Sequence, residues 1–237
     1  MIQKVLKKLG VVRRNAKGTE IVTDEQVAQF TANLAFPYLV SFPRTGSHWL
    51  RMLMELYFEK PSMKLVFYEQ FNQATDFTCY HTHDMALDVQ RKNVLYLYRH
   101  PAPTIFSQLR YYKEDTSDIK RIQHWSTIYG QHLKKWLFEE EFTTQKTVLT
   151  YEMMRQDLPK AFEKVCDHFG VEFDKDRLDS VANLVSKKQL KAKTIHDKQV
   201  VNLSASYDKE RQLFMKNHTE IVLKTVFAQH PPLKDLF

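Results

Sequence analysis

The stretch Tyr38 to Leu53, Tyr-Leu-Val-Ser-Phe-Pro-Arg-Thr-Gly-Ser-His-Trp-Leu-Arg-Met-Leu, limits what this chain can become more than any other. Tyr38 to Phe42 is an apolar run of strand length, Pro43 to Gly46 carries turn chemistry, and from Ser47 onward Trp49, Leu50, Leu53 and Leu56 recur at helical spacing. A buried strand, a tight loop and a helix in that order make an anion cradle. Gly46 lets the backbone come close to a ligand, the first-turn N–H groups of the helix have no intrahelical acceptors, and Arg44 adds a fixed positive charge. The same residues also suit an ordinary turn with Ser47 as the helix cap, so further anion-binding groups must be found elsewhere in the chain. Glycines stand only at 10, 18, 46, 130 and 170, so neither Gly-x-x-x-x-Gly-Lys-Ser/Thr nor Gly-x-Gly-x-x-Gly exists here.

A second buried strand is expected at Asn93 to Tyr98, running directly into Arg99-His100-Pro101. Pro101 and Pro103 suit a first helical turn, and Ile105, Phe106, Leu109 and Tyr112 continue an apolar stripe. Arg99 therefore sits at a strand's carboxyl edge, and Ser107, two turns into the helix, lies near the same edge. A guanidinium fork and a hydroxyl there suit one anionic group, and in an open parallel sheet that edge is where ligands bind. Between these two units, Phe77 to His83 alternates as a strand that reaches a loop at His81-Thr82-His83-Asp84, with His81 and His83 on one face. A metal site would need further ligands at the right spacing, which the sequence lacks, whereas one histidine at a strand end suits a general base.

The rest of the chain continues the alternation. Thr23 opens a helix toward Asn33, a long helix spans Asp118 to Phe138, Thr147 to Thr150 makes a strand ending in Tyr151-Glu152, and helices follow at Lys160 to Phe169 and Asp174 to Val185. Alternating strands and helices predict an α/β fold with a central parallel sheet flanked by helices. The chain of 237 residues, 43% hydrophobic and 13% aromatic, is expected to form one domain over 1–237: a basic lead-in at 1–35, a core at 38–157 and a helical part at 158–237. In the lead-in, Ile2, Val5, Leu6 and Leu9 share a helical face with lysines around it, and no secretory signal is recognisable, which makes the cytoplasm the expected location. Cys79 and Cys166 have no CxxC spacing and read as buried free thiols.

Taken together, Pro43 to Trp49, Thr82-His83, Arg99 through Ser107, and Tyr151-Glu152-Met153-Met154 resemble the sulfotransferase family that uses 3′-phosphoadenosine 5′-phosphosulfate (PAPS) and releases 3′,5′-bisphosphoadenosine (PAP). The match covers Tyr38 to Asp157, and it is the resemblance that implies a P-loop-like three-layer fold and makes 38–157 a nucleotide-binding core. The resemblance implies that Arg44, Thr45, Gly46, Ser47, His48 and Trp49 bind the 5′-phosphosulfate, with Trp49 also beside the adenine. It implies that Arg99 and Ser107 hold the 3′-phosphate, that Tyr151 approaches the adenine, and that His83 and Arg44 are catalytic, with no metal. The acceptor would be a hydroxyl or amine of a small molecule, a sugar or a lipid-linked group.

Four departures from the family pattern bear on the site. Arg44 stands for the more usual Lys and acts as an electrostatic clamp that does not give up its proton. His48 stands where Thr is common, and His81 where the Lys of Lys-Thr-His would be. The C-terminal Arg-Lys-Gly segment that completes the 3′-phosphate site is missing; Lys198, Lys209 and Arg211 are the candidates for its charge, and Ser186-Lys187 falls near the adenine-contacting turn. Two other readings predict different ligands: a small-molecule kinase, which requires ATP and Mg²⁺ but has no Walker lysine, and a non-catalytic basic binding module, which draws on the net charge of +7. The basic residues are dispersed and match no nucleic-acid motif, so no nucleic-acid partner is expected.

Overall fold

A computed structural model describes residues 14–15, 18–19, 22–63, 67–71, 74–139, 141–185 and 206–237. Strands β1 (Tyr38–Ser41), β2 (Tyr80–Thr82), β3 (Asn93–Tyr98) and β4 (Gln145–Thr150) form a parallel sheet in the order β2-β1-β3-β4. The register aligns Tyr38 with Tyr80 on one side and Val94 on the other, and Tyr96 with Val148. Every residue of β1 and β3 is buried, as continuous apolar runs in central parallel strands require.

The pleat sends alternate residues into two cores. Leu39, Leu95, Leu97 and Leu149 join one, while Tyr38, Val40, Val94, Tyr96 and Tyr98 join the other. Helix α1 (Asp24–Ala32) precedes the sheet, capped by Thr23 and Gln26 in a reciprocal capping box. Helix α2 (Ser47–Tyr57) follows β1 and packs on the first core. Helices α3 (Pro101–Tyr112) and α4 (Ile119–Phe138, capped by Asp118) cover the second. After β4 come the short α5 (Tyr151–Gln156), then α6 (Leu158–Phe169), ended by Gly170, and α7 (Lys175–Leu184), both on the first face. Helix α8 (Tyr207–Phe227) lies across α3 and α4, completing the three layers.

The chain passes from β1 outward to β2 and then back across β1 to β3, so α2 and α3 leave adjacent strands toward opposite faces. The strand order reverses between β1 and β3, and the carboxyl ends of strands at such a point are where open parallel sheets take ligands. Element boundaries differ from expectation in places. Strand β2 is only Tyr80–Thr82, because residues just before it pair with another segment: Thr78 N–H donates to the Pro61 carbonyl at 2.9 Å and Met63 N–H to the Cys79 carbonyl at 2.8 Å. Helix α2 stops at Tyr57, where Glu59 turns into the left-handed region (φ 52°), and Tyr151 opens a helix rather than closing a strand.

Arg14–Asn15 pairs antiparallel with Gly18–Thr19, whereas the helical face expected for Ile2 to Leu9 lies outside the described residues, as do Ser186, Lys187 and Lys198. Cys79 and Cys166 are buried free thiols. No helix among the described residues is long and apolar enough to cross a membrane.

Candidate active site at the carboxyl edge of the sheet

The loop after β1 is built by backbone conformation. Arg44 adopts φ 69° and Gly46 φ 101°, and Gly46, rather than Ser47, is the N-cap of α2. A non-glycine residue in the left-handed region costs roughly 1–3 kcal/mol, and such strain gathers at ligand sites. The buried Thr45 hydroxyl holds the loop by donating to the Phe42 carbonyl at 2.8 Å. Among the described residues no backbone carbonyl accepts from the N–H groups of Ser47 or His48, so the first turn of α2 keeps its anion-facing donors.

Two guanidinium groups stand at this edge, one after each central strand. Arg44 Nε–H donates to Ser107 Oγ at 3.2 Å, and its Cζ lies 5.2 Å from the Tyr111 ring. Ser107, expected to share an anion with Arg99, thus also meets Arg44. Arg99 lies with its Cζ 4.3 Å from the Tyr151 ring, and its Nε is buried with no hydrogen-bond partner. Burial chiefly, and also the charge of Arg99, pulls the Arg44 pKa below its ordinary value, while the Tyr207 and Tyr111 phenols act the other way. The charge of Arg99 thus reaches Arg44. Such repulsion is relieved by a polyanion, and an orphaned, buried guanidinium N–H fits a phosphate oxygen.

Tyr151 ties the halves together. A Cβ on Gly46 would come within 2.6 Å of Tyr151 Cδ2, so only glycine lets the ring close on the loop, and the Trp49 ring lies 5.9 Å away at 68°. Arg99 itself is fixed through its backbone: its N–H donates to Tyr129 Oη at 3.0 Å, and Tyr129 Oη–H donates back to the Arg99 carbonyl at 2.6 Å. Glu152 accepts from the His100 N–H at 3.1 Å, pinning the start of α5 to the end of β3.

On the other flank, at the end of β2, the rings of His81 and His83 stand 4.9 Å apart, edge to face. Their partners fix opposite tautomers. His83 Nδ1 lies 2.7 Å from the Ser41 carbonyl, which only accepts, so Nδ1 carries the proton and Nε2 holds the lone pair. His81 Nδ1 faces Arg51 Nη1, which only donates, at 3.4 Å, so His81 donates through Nε2 to Ser41 Oγ at 3.1 Å. Both nitrogens of His81 are used within the protein, whereas His83 keeps Nε2 as an acceptor. Burial first, together with Arg51 and Arg44, lowers the His83 pKa below its ordinary value, although the Ser41 bond and Asp84 raise it. The ring is neutral at pH 7, as a base must be. His48 falls further, to about 3, through burial and the charges of Arg51 and Arg44. Among the described residues no three His, Cys, Asp or Glu side chains are arranged to hold a metal ion.

Two residues of this neighbourhood escaped the sequence reading. Arg51, 3% exposed and donating through Nε to Ser62 Oγ at 2.7 Å, is a buried cation behind the histidines. His132, wholly buried, contacts the His83 carbonyl through Nε2 at 2.9 Å. A basic residue inside an apolar helical stripe is the signal that marks both. Of the candidates for C-terminal charge, Arg211 pairs with Asp208 at 3.2 Å and Lys209 is exposed.

A family model described as "Sulfotransferase domain" matches residues 77–220, a span that holds His83, Arg99, Ser107 and Tyr151 but begins after the Arg44 loop. A search of curated proteins gives no match. Among solved structures, the chain resembles a mouse sulfotransferase complexed with PAP (TM-score 0.54, 13% identity, covering 92% of this chain and 99% of that one). It also resembles retinol dehydratase in complex with androsterone and inactive cofactor PAP (TM-score 0.56, 12% identity, 95% and 93% covered) and the same enzyme with retinol and PAP (TM-score 0.55, 13% identity, 86% and 86% covered). At such identities the likeness is one of fold.

Proposed function

This chain belongs to the sulfotransferase domain family, and we propose that it transfers the sulfuryl group of PAPS to a hydroxyl of a small molecule, with His83 as general base and the whole chain acting as one catalytic domain. The observation that carries this reading is the arrangement at the carboxyl edge of the sheet: Arg44 and Arg99 follow the two central strands, and His83, just past β2, has an Nε2 with no partner among the described residues.

PAPS supplies an activated sulfuryl group and a leaving phosphate. Arg44, with the first-turn N–H groups of α2, takes the phosphosulfate end, where negative charge grows as the bond to the leaving group breaks. Arg99, with its orphaned Nε–H, takes the second phosphate, and Ser107 bonds to Arg44. Trp49 and Tyr151 supply the flat apolar surfaces that suit a purine. His83 Nε2 accepts the proton of the acceptor hydroxyl as its oxygen bonds to sulfur, and the imidazolium so formed is steadied by the Ser41 carbonyl on Nδ1–H. Holding acceptor and donor in line contributes much of the rate in such a transfer.

A hydroxyl acceptor is supported by the alcohols named with the retinol dehydratase structures, androsterone and retinol. The short run between the Arg44 loop and His83 leaves little chain for an acceptor lid, which favours an open acceptor site. The test is His83→Ala: PAP binding is retained while PAP release from PAPS in the presence of acceptor falls by about 10² or more, the usual weight of a general base. Full activity in that variant would remove His83 from the mechanism.

A further inference from the structure

We propose that His132 is the positioning residue of the base, holding His83 by its main chain so that Nε2 points at the acceptor; this rests on the reading of His83 as that base. Strand β2 is a three-residue edge strand whose pairing with β1 ends at Thr82 with Val40. His83 therefore stands just past the last ladder contact, and the next residue, Asp84, turns into positive φ at 37°. His83 itself forms no ladder pair, so its own carbonyl must be held from elsewhere. His132, one of the wholly buried residues of α4, holds it.

The chemistry of the contact is one-directional. The His83 carbonyl only accepts, so His132 Nε2 at 2.9 Å must donate, which leaves Nδ1 as the acceptor. That acceptor is met by the hydroxyl of Tyr96, at 2.9 Å and itself wholly buried on β3. The Phe42 ring closes on the His132 ring at 5.6 Å, edge to face. A relay thus runs from β3 through Tyr96 and His132 to the backbone of His83, and where that backbone is held decides whether the His83 ring meets the Ser41 carbonyl on β1. The base is gripped from two central strands, although it stands beyond the end of an edge strand. A misplacement of about 1 Å at a reacting group costs around 10² in rate, which gives such a grip catalytic weight.

The test compares His132→Leu, which fills the space without donating, with His132→Gln, whose amide N–H can still reach the carbonyl. Histidine ¹⁵N spectra are recorded with PAP bound, the His83 signals being identified by their loss in His83→Ala. The wild type should show His83 protonated at Nδ1 alone. His132→Leu should mix the two tautomers and slow PAP release from PAPS, with 2-naphthol as acceptor, about tenfold or more at an unchanged KM for PAPS, and His132→Gln should restore both. An unchanged His83 spectrum in His132→Leu, or equal losses in the Leu and Gln variants, would overturn the proposal. Should His132→Leu fail to fold, Tyr96→Phe removes the hydroxyl that sets the His132 tautomer; mixed His83 tautomers are expected there, and an unchanged spectrum overturns it. The spectra need no acceptor, so an active His83→Ala would remove the base reading without deciding whether His132 orders the ring.

Discussion

At the scale of single residues, the protein buries histidines and keeps them neutral. Burial lowers His132 and His168 each from 6.5 to about 4, and both sit inside the cores, His168 with Nδ1 at 3.0 Å from Thr147 Oγ1. Their folded-state pKa values lie below the unfolded ones, so the unfolded chain takes up protons first. Their contribution to stability is full above pH 6.5 and drains away as pH falls toward 4, each at about 1.4 kcal/mol per pH unit within that window. Glu55 opposes them. Burial raises its carboxyl to about 7, so its contribution is full below 4.5 and is lost as pH rises through 7. It offsets one histidine but not two. Denaturant melts at pH 5 and pH 7 should show the lower stability at pH 5, and His168→Gln should narrow the gap; equal stabilities would contradict this account of the buried rings.

At the scale of elements, what the sequence made legible was whatever carries its signal locally. The strand-loop-helix from Tyr38, the Asn93 strand with its proline-opened helix, and the helices opening at Thr23, Asp118 and Asp174 all announce themselves in a few residues, whereas the helix expected from Lys160 starts at Leu158 under an Asp157 cap. The extent of β2 was not legible, because Thr78 and Cys79 spend their hydrogen bonds on Pro61 and Met63, a long-range choice that alternation does not encode. Likewise the pairing of Ser107 with Arg44 needed the crossing of α3 over the β1 loop, which no spacing reports. The packing of α8 on α4 is a further tertiary decision, made at Gly130. A methyl group there would meet the Val226 carbonyl at 3.0 Å and Gln229 Cγ at 2.6 Å. Gly130→Ala gains about 1 kcal/mol of helix propensity but overpacks by about 1–3 kcal/mol. A lower Tm with an intact response to PAP is expected; a higher Tm would mean that α8 yields freely.

At the scale of the molecule, the central claim is that one parallel sheet presents two cationic pockets at neighbouring strand ends, spaced to take one nucleotide bearing phosphate at both ends. Arg44 follows β1 and Arg99 follows β3, and the strand order reverses between them. The net charge of +7 adds long-range attraction for any anion, so tight binding alone distinguishes nothing; the discriminating property is which anion, and whether a metal is needed. Ligand linkage reads this without an acceptor, since a ligand at 100 times its dissociation constant stabilises the folded state by about 2.7 kcal/mol. The melting temperature should rise with PAP in the presence of a chelator and lose that rise in Arg99→Ala. A rise given only by ATP with Mg²⁺, or a PAP response that survives Arg99→Ala undiminished, would contradict the two-pocket site.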